Sequence, residues 1–229
     1  MLDRLAFAAL LFAAGAIGAA SAAAADSWHA ERVTTAAGAL PRVERLWSKG
    51  PALRAEIVLA GHAVVTYVKG DRYVVVDALT GKGTSIQRSP KAVAEDATRG
   101  RPFGGEQKVL VAAGGEKVKT EGTGDAACDL YRITDQAGRR EVCVSTGKEQ
   151  LPIFARAWDR QSGAESETRY LAWSRDLEGK DIALSDSFFS PDPRVTLTSY
   201  SFDDFMAKAQ AGESVSVGPI LYPELLIGR

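Results

Sequence analysis

"HAVVTYVKGDRYVVVDALTGKGTSIQR", residues 62–88, holds two strongly β-branched runs split by Gly70-Asp71 and a third, shorter run after Gly81-Lys82-Gly83. β-Branched residues fit the pleated surface of a strand, and Gly and Asp supply the turns between strands. Immediately upstream, "ALRAEIVL" (52–59) alternates Leu53, Ala55, Ile57 and Leu59 against Arg54 and Glu56 and stops before Gly61. That period of two belongs to a strand with one buried face. The four segments read as an antiparallel meander. In the two central runs the apolar residues do not alternate: Val64, Thr66 and Val68 face one way while Ala63, Val65 and Tyr67 face the other, and Tyr73 to Val76 behaves likewise. A sheet wet on one side would alternate, so these strands are predicted to be covered on both faces.

Beyond this stretch, short segments and turn residues recur at intervals near ten, the spacing of an all-β domain. In "WHAERVTTAAGALPRVERLW" (28–47), Val33, Ala37, Leu40, Val43 and Trp47 are also spaced for one helix face. A helix through Gly38 and Pro41 would lose about 1 and about 3 kcal/mol at those residues, so two strands joined at Gly38 are expected instead. Ser89 as N-cap, Pro90 at the first helical position and Gly100 past the end frame a helix in "SPKAVAEDATRG". "GEQKVLVAAGG" (105–115) reads as a short helix closed by its glycine pair or as a strand. "EKVKTE", a cysteine hairpin, "LPIFARAWD" and "SETRYLAWS" add strands, "SPDP" (190–193) breaks the chain, and "RVTLTSY" resumes it. Ser201 and Asp204 then make a capping-box-like start to a helix reaching Gly212. The apolar tail "VGPILYPELLIGR", with Pro219 and Pro223, is expected to dock as an extended segment.

The N-terminus places one Arg before an apolar run from Leu5 to Ile17 and a small-residue stretch with several A-x-A matches. This is the pattern of a secretory signal peptide over residues 1–25, cleaved after Ala25. The run is Ala-rich rather than Leu/Ile/Val-rich, which favours cleavage over retention as a membrane anchor, so no integral membrane segment is expected afterwards. Removing 1–25 takes away one acid, Asp3, and one base, Arg4, and the formal net charge stays at −1. With 45% apolar residues, the remainder, 26–229, has enough material for one β domain. Scattered Lys and Arg at near-zero net charge argue against nucleic acid as partner.

The order "LRAEIVLAGHAVVTYVKGDRYVVVDALTGKG", a helical insert ending "AAGGEKVKTEGTGDAACDLYRI", "VCVSTGKEQLPIFARAW" and "DIALSDSFFSPDPRVTLTSYSFDDF" resembles the lipoprotein-carrier (LolA/LolB-like) superfamily of periplasmic proteins. The resemblance spans nearly the whole of 26–229 as an order of segments. It implies a mainly β fold, an incomplete antiparallel barrel of about eleven strands in a meander with a few short helices over the open side. It also implies a periplasmic location and an apolar concavity that holds acyl chains. The chain lacks the lipidated Cys of the membrane-anchored branch, and no particular Arg matches the carrier's functional arginine.

Two-sided burial has a plain explanation, with helices on one face and the curled sheet or the tail on the other. The sharper explanation is a partly open apolar chamber for an amphipathic ligand. Its candidate lining is Trp47, Ile57, Leu59, Val65, Tyr67, Val74, Val76, Trp158, Tyr170 and Trp173. The partner implied is a hydrophobic small molecule or a lipidated protein; the alternative is an envelope protein read by an interaction or stress-sensing module on the same scaffold. Catalytic readings fare poorly. His29 and His62 are the only histidines, no G-x-S-x-G elbow or phosphate loop is present, and Asp203-Asp204 and Asp125/Asp129 lack calcium-loop spacing. Cys128 and Cys143 have no further clustered ligands for a metal. No catalytic residue, metal or cofactor is expected, and a hydrolase is a distant third reading.

Cys128 and Cys143 flank "DQAG" in "CDLYRITDQAGRREVCVS" and are the only cysteines. An exported chain with two cysteines one hairpin apart is expected to bridge them. One antiparallel register sets them directly opposite; a two-residue slip sets Cys128 opposite Ser145 and improves the match of Tyr131 with Val142.

Overall fold

A computed structural model describes residues 26–59, 61–124, 127–175 and 184–228. The expected signal peptide, 1–25, and Asp125 lie outside the described residues. The chain runs β1 (Ser27–Ala36), β2 (Arg42–Lys49), β3 (Ala52–Leu59), β4 (His62–Lys69), β5 (Arg72–Asp77), β6 (Lys82–Gln87), α1 (Pro90–Arg99), α2 (Glu106–Ala112), β7 (Glu116–Glu121), β8 (Cys128–Thr134), β9 (Gly138–Ser145), β10 (Pro152–Asp159), β11 (Glu165–Arg175), a 3-10 turn (Asp186–Phe189), β12 (Thr196–Tyr200), α3 (Phe202–Gln210) and α4 (Pro223–Ile227).

All the described strands join one open 12-stranded sheet in the order β12-β6-β5-β4-β3-β2-β1-β11-β10-β9-β8-β7. The architecture is the incomplete barrel implied by the resemblance, assembled from two meanders. The first is β1 to β6 and the second β7 to β11, and the antiparallel pairing of β1 with β11 welds them. The expected count of about eleven antiparallel strands is exceeded by β12, which lies parallel to β6 at the edge, Thr196 beside Lys82. The two strands around Gly38 form as expected, because Gly38 takes φ 75° between them.

The helices follow their capping signals. Ser89 Oγ accepts from Ala92 N at 3.0 Å to start α1, and donates to the Ile227 carbonyl at 2.6 Å, tying α1 to the end of α4. "GEQKVLVAAGG" resolves as helix, and its Leu110 packs on Val142 and Val144 of β9. Ser201 Oγ accepts from Asp204 N at 3.1 Å to cap α3. The tail departs from the extended form expected of it. Pro223, restricted to a helical φ, opens the short α4, whose Leu225 and Leu226 sink into the core. Buried Arg88 fastens the tail, donating to the Leu225 carbonyl at 2.6 Å and to Asp96 of α1 at 2.6 and 2.9 Å.

Both faces of β4 and β5 are covered, by different elements. The inner face carries Leu53, Val64, Val68, Tyr73 and Val75 against Phe205, Tyr222, Leu225 and Leu226. On the outer face, Val65, Tyr67, Val74 and Val76 cluster under Val195, while Trp47 and Ala52 meet Leu184, Phe188 and Phe189. Alternation fails here because the helical tail packs on one side and the 184–195 segment on the other.

The Cys128–Cys143 disulfide is present, with the Cα atoms 5.6 Å apart. The register is the slipped one, Cys128 opposite Ser145 and Leu130 opposite Cys143. The turn decides it. Asp135 Oδ1 accepts from Ala137 N at 2.9 Å and Gly138 N at 3.2 Å, and Asp135 N donates to the Gly138 carbonyl at 2.9 Å. That closes a loop with Gln136 and Ala137 at its tip and fixes every opposed pair behind it. Strand twist brings the diagonal cysteines within the separation a disulfide spans.

Candidate functional site

Where β9, β10 and β11 meet α2, the inner face is not filled. A cavity of about 710 Å³ lies there, within the roughly 300–1,000 Å³ typical of small-molecule sites. Its sheet wall comes from alternate residues: Val142 on β9, Ala155 and Ala157 on β10, Ser166 and Thr168 on β11. These side chains are small, so the sheet stands off from the opposite wall. That wall is Val109 and Leu110 of α2 together with Phe103 and Gly104 of the preceding loop. Gly104 is required by a close approach: it has φ 70°, and a Cβ there would lie 2.5 Å from the Trp173 ring. Trp173 stacks on Phe103 and Tyr170, with centroids 5.8 and 4.8 Å away, which sets the height of the loop.

The floor is a buried polar network. Arg32 of β1 donates from Nε to Glu44 Oε2 at 2.7 Å and from Nη1 to the Tyr170 hydroxyl at 3.3 Å. Tyr170 in turn donates to Glu106 Oε1 at 2.5 Å, and Tyr222 donates to Glu44 Oε1 at 3.0 Å. The Arg32 guanidinium lies 5.9 Å from each of the Tyr170 and Tyr222 ring centres. Burial pushes the Tyr170 and Tyr222 hydroxyls up from their ordinary pKa, and Glu106 and Glu44 beside them add to the shift. Burial works against the charge on Arg32, but Tyr170, Glu44 and Tyr222 outweigh it and raise its pKa. Both tyrosines therefore stay protonated donors and Arg32 a fixed cation. Chemically the cavity offers an apolar wall and a charge-paired floor.

None of the ten sequence-named residues is among those that line this cavity, and eight of them lie away from it. Val65, Tyr67, Val74 and Val76 are on the outer face under Val195, and Trp47 faces outward against Phe188. Ile57 is buried opposite Glu44 and Val64, and Leu59 is half-buried at its strand end. Trp158 lines, with Ala36 and Ala37, a neighbouring surface cleft that shares Glu141, Arg156, Ala157 and Ser166 with the cavity. Tyr170 and Trp173 are the two that approach the cavity, one as part of its floor network and the other behind its loop. Arg32, Glu44, Glu106 and Tyr222 are absent from the sequence-based lining. The one available signal is a carboxylate, Glu44, at a position whose strand parity points it into the core.

The other candidates are accounted for locally. His62 Nδ1 lies 3.0 Å from Asp77 Oδ2, and Asp77 Oδ1 accepts from Leu79 N at 2.9 Å, so the pair closes a turn. Burial opposes the charge on Asp77, yet its bonds to His62 and the turn amides hold its pKa below the ordinary value. His29 lies tilted against Trp47, with ring centroids 5.1 Å apart, and burial lowers its pKa. Asp129 pairs with Lys117 at 2.8 Å, and Asp204 belongs to the α3 cap. Glu121 lies beside Cys128 and Cys143, whose sulfurs are committed to each other. Among the described residues no helix is long and apolar enough to cross a membrane.

No family model and no curated protein sequence matches the chain. Among solved structures it is similar to an uncharacterized conserved protein from Thermus thermophilus, at 9% identity and a TM-score of 0.51, over 76% of this chain and 90% of that one. It is also similar to the Mycobacterium tuberculosis lipoprotein LppX, at 10% identity and a TM-score of 0.40 over 71% and 91% of the two chains. A LolA superfamily protein from Nitrosomonas europaea follows at 15% identity and a TM-score of 0.29, over 73% and 90%. At these identities the likeness is one of fold, and the fold, an open β-sheet with short helices over one side, is the one that the resemblance to LolA-like proteins implied.

Proposed function

We propose that the protein is an exported binding or carrier module that takes a hydrophobic or amphipathic ligand, a lipid or an acyl chain, into the inner cavity. The observation that carries this reading is the cavity of about 710 Å³ between α2 and β9–β11, apolar along its walls and polar at its floor. Burial of acyl chain on such a wall contributes about 0.8 kcal/mol per CH₂, enough for a single chain to be held firmly. On this reading the protein acts as a carrier and not an enzyme, since the charged groups of the floor are held in ion pairs, Arg32 with Glu44 and Glu106 and Arg42 with Glu44. The lining is Phe103, Val109, Leu110, Val142, Ala155 and Ala157. Organic extraction of the purified native protein followed by mass spectrometry should recover a bound lipid, and Ala157→Trp, which fills the cavity, should abolish it with the melting temperature preserved. Recovery of no lipid, together with no binding of an added fluorescent fatty-acid analogue, would remove the reading.

A second reading has its own observation. The tips of the β1–β2, β3–β4 and β5–β6 hairpins turn at one end of the sheet and expose Leu40 (88%), Val58 (63%) and Leu79 (70%). Exposed apolar side chains gathered at adjacent tips suit contact with an envelope protein. Leu40→Lys with Leu79→Lys should then remove cross-links to that partner without emptying the cavity.

A further inference from the structure

The floor of the cavity constrains the ligand's head group, an inference that rests on the lipid-binding reading. Arg32 commits Nε to Glu44 and Nη1 to Tyr170, with Glu106 Oε1 at 3.5 Å from Nη1. Its Nη2 makes no hydrogen bond to the described residues. Glu106 lines the same cavity, and its Oε2 is buried without a hydrogen-bond partner among the described residues. Arg42 Nε stands 3.7 Å from Glu44, so two guanidinium groups face two carboxylates at the floor. The remaining charges around the cavity are paired outward, Arg140 with Asp135, Arg156 with Glu167 at 2.7 Å and Glu141 with Arg132 at 2.7 Å. Glu224 at the start of α4 adds one more carboxylate to the lining.

We propose that the ligand's head is electrically neutral and carries both a hydrogen-bond acceptor and a donor, as a fatty amide or a monoacylglycerol does. The acceptor meets Arg32 Nη2, the donor meets the Glu106 carboxylate, and the acyl chain runs along Val109, Leu110, Val142, Ala155 and Ala157. A carboxylate or phosphate head would find Arg32 already neutralised and would stand near Glu106 and Glu224 without a counter-charge. A half-buried site makes such an unpaired charge costly. A cationic head would meet Arg32. A neutral head with one donor and one acceptor leaves neither floor group unpaired, which is how polar sites discriminate most sharply.

The test is displacement of N-phenyl-1-naphthylamine from the purified protein at about pH 8 by oleamide, monoolein and oleate, which share one chain and differ in the head. Oleamide and monoolein should displace the probe at concentrations at least about tenfold below oleate. Glu106→Gln removes one floor carboxylate and should narrow that gap to about threefold or less through a gain for oleate, with an unchanged circular-dichroism spectrum. Oleate displacing as well as oleamide, or a folded Glu106→Gln protein that keeps the full gap, overturns the head-group assignment and leaves lipid binding standing. If Glu106→Gln does not fold, the wild-type order of the three lipids decides alone. A protein that binds neither the probe nor any of the three overturns the lipid reading, and this inference with it.

Discussion

Replacing Arg32 by Met should be among the most damaging single changes in the inner face, and the reason is Glu44 rather than Arg32. Glu44 is 0% exposed, and among the described residues its side chain has three partners: Arg32 at 2.7 Å, the Tyr222 hydroxyl at 3.0 Å and Arg42 Nε at 3.7 Å. Methionine retains much of the apolar stem of arginine, so packing changes little while the guanidinium is lost. Removing one partner of a buried ion pair costs about 3–5 kcal/mol, because the other charge is left uncompensated. Tyr222 and Arg42 remain, which puts the expected loss near the lower end, about 3 kcal/mol. For a chain of this size each kcal/mol shifts the melting temperature by about 2–4 °C, so a fall of about 6–12 °C is expected by circular dichroism. Adding Glu44→Gln to Arg32→Met removes the stranded charge and keeps an acceptor for Tyr222, and should restore about 2 kcal/mol. A loss under about 1 kcal/mol in Arg32→Met would refute the reasoning, as would a double variant no more stable than the single one.

Reduction of Cys128–Cys143, which closes a separation of 15 residues, should lower stability by about 3 kcal/mol, and thiol titration of the denatured, unreduced protein should find no free sulfhydryl. Asp135→Ala should cost about 1 kcal/mol by melting and speed hydrogen exchange at the Ala137 and Gly138 amides, since its Oδ1 accepts from both. Asp192 should titrate at about 2 in the folded protein, held there first by its bond from the Arg194 side chain and then by the Arg194 amide. Because the folded pKa is depressed, the interaction supports the fold above the ordinary value of 3.8 and is lost as pH falls toward about 2. Carboxyl chemical shifts followed by NMR would contradict this if Asp192 titrated near 3.8.

The meander is legible because local and long-range requirements agree in it: β-branched runs, glycine turns and a burial pattern that only a doubly covered strand explains. The ends of elements are harder wherever one side chain decides the matter. The hairpin around the cysteines looks alike in either register, since a two-residue slip keeps every side chain on its own face. Asp135 chooses between them by closing the loop over Gln136 and Ala137. The prolines of the tail suggest an extended segment, but Pro223 sits where a helix begins, and burial of Leu225 and Leu226 offsets the ordering of the turn it starts.

The cavity between α2 and β9–β11 is the least legible feature because apolar content points to other parts of the sheet. Strands rich in Val, Tyr and Leu attract packing partners, so β3 to β5 are filled on the inside by Leu225, Leu226 and Phe205 and covered outside by Val195. Space persists where the inward residues are too small to reach across: Ala155, Ala157, Ser166 and Thr168 stand between charged neighbours such as Arg156 and Glu167, and in sequence they look like an ordinary solvated strand. The floor is hidden for a related reason. Arg32 and Glu44 are 12 residues apart and Tyr222 lies 178 from Glu44, so the network exists only once β1, β2 and the tail have met. A cavity in a sheet of this kind is best sought where the alternation points small residues inward and a lone carboxylate inward beside them. Those positions keep a space open and give it polarity, whereas the strongest apolar runs close it.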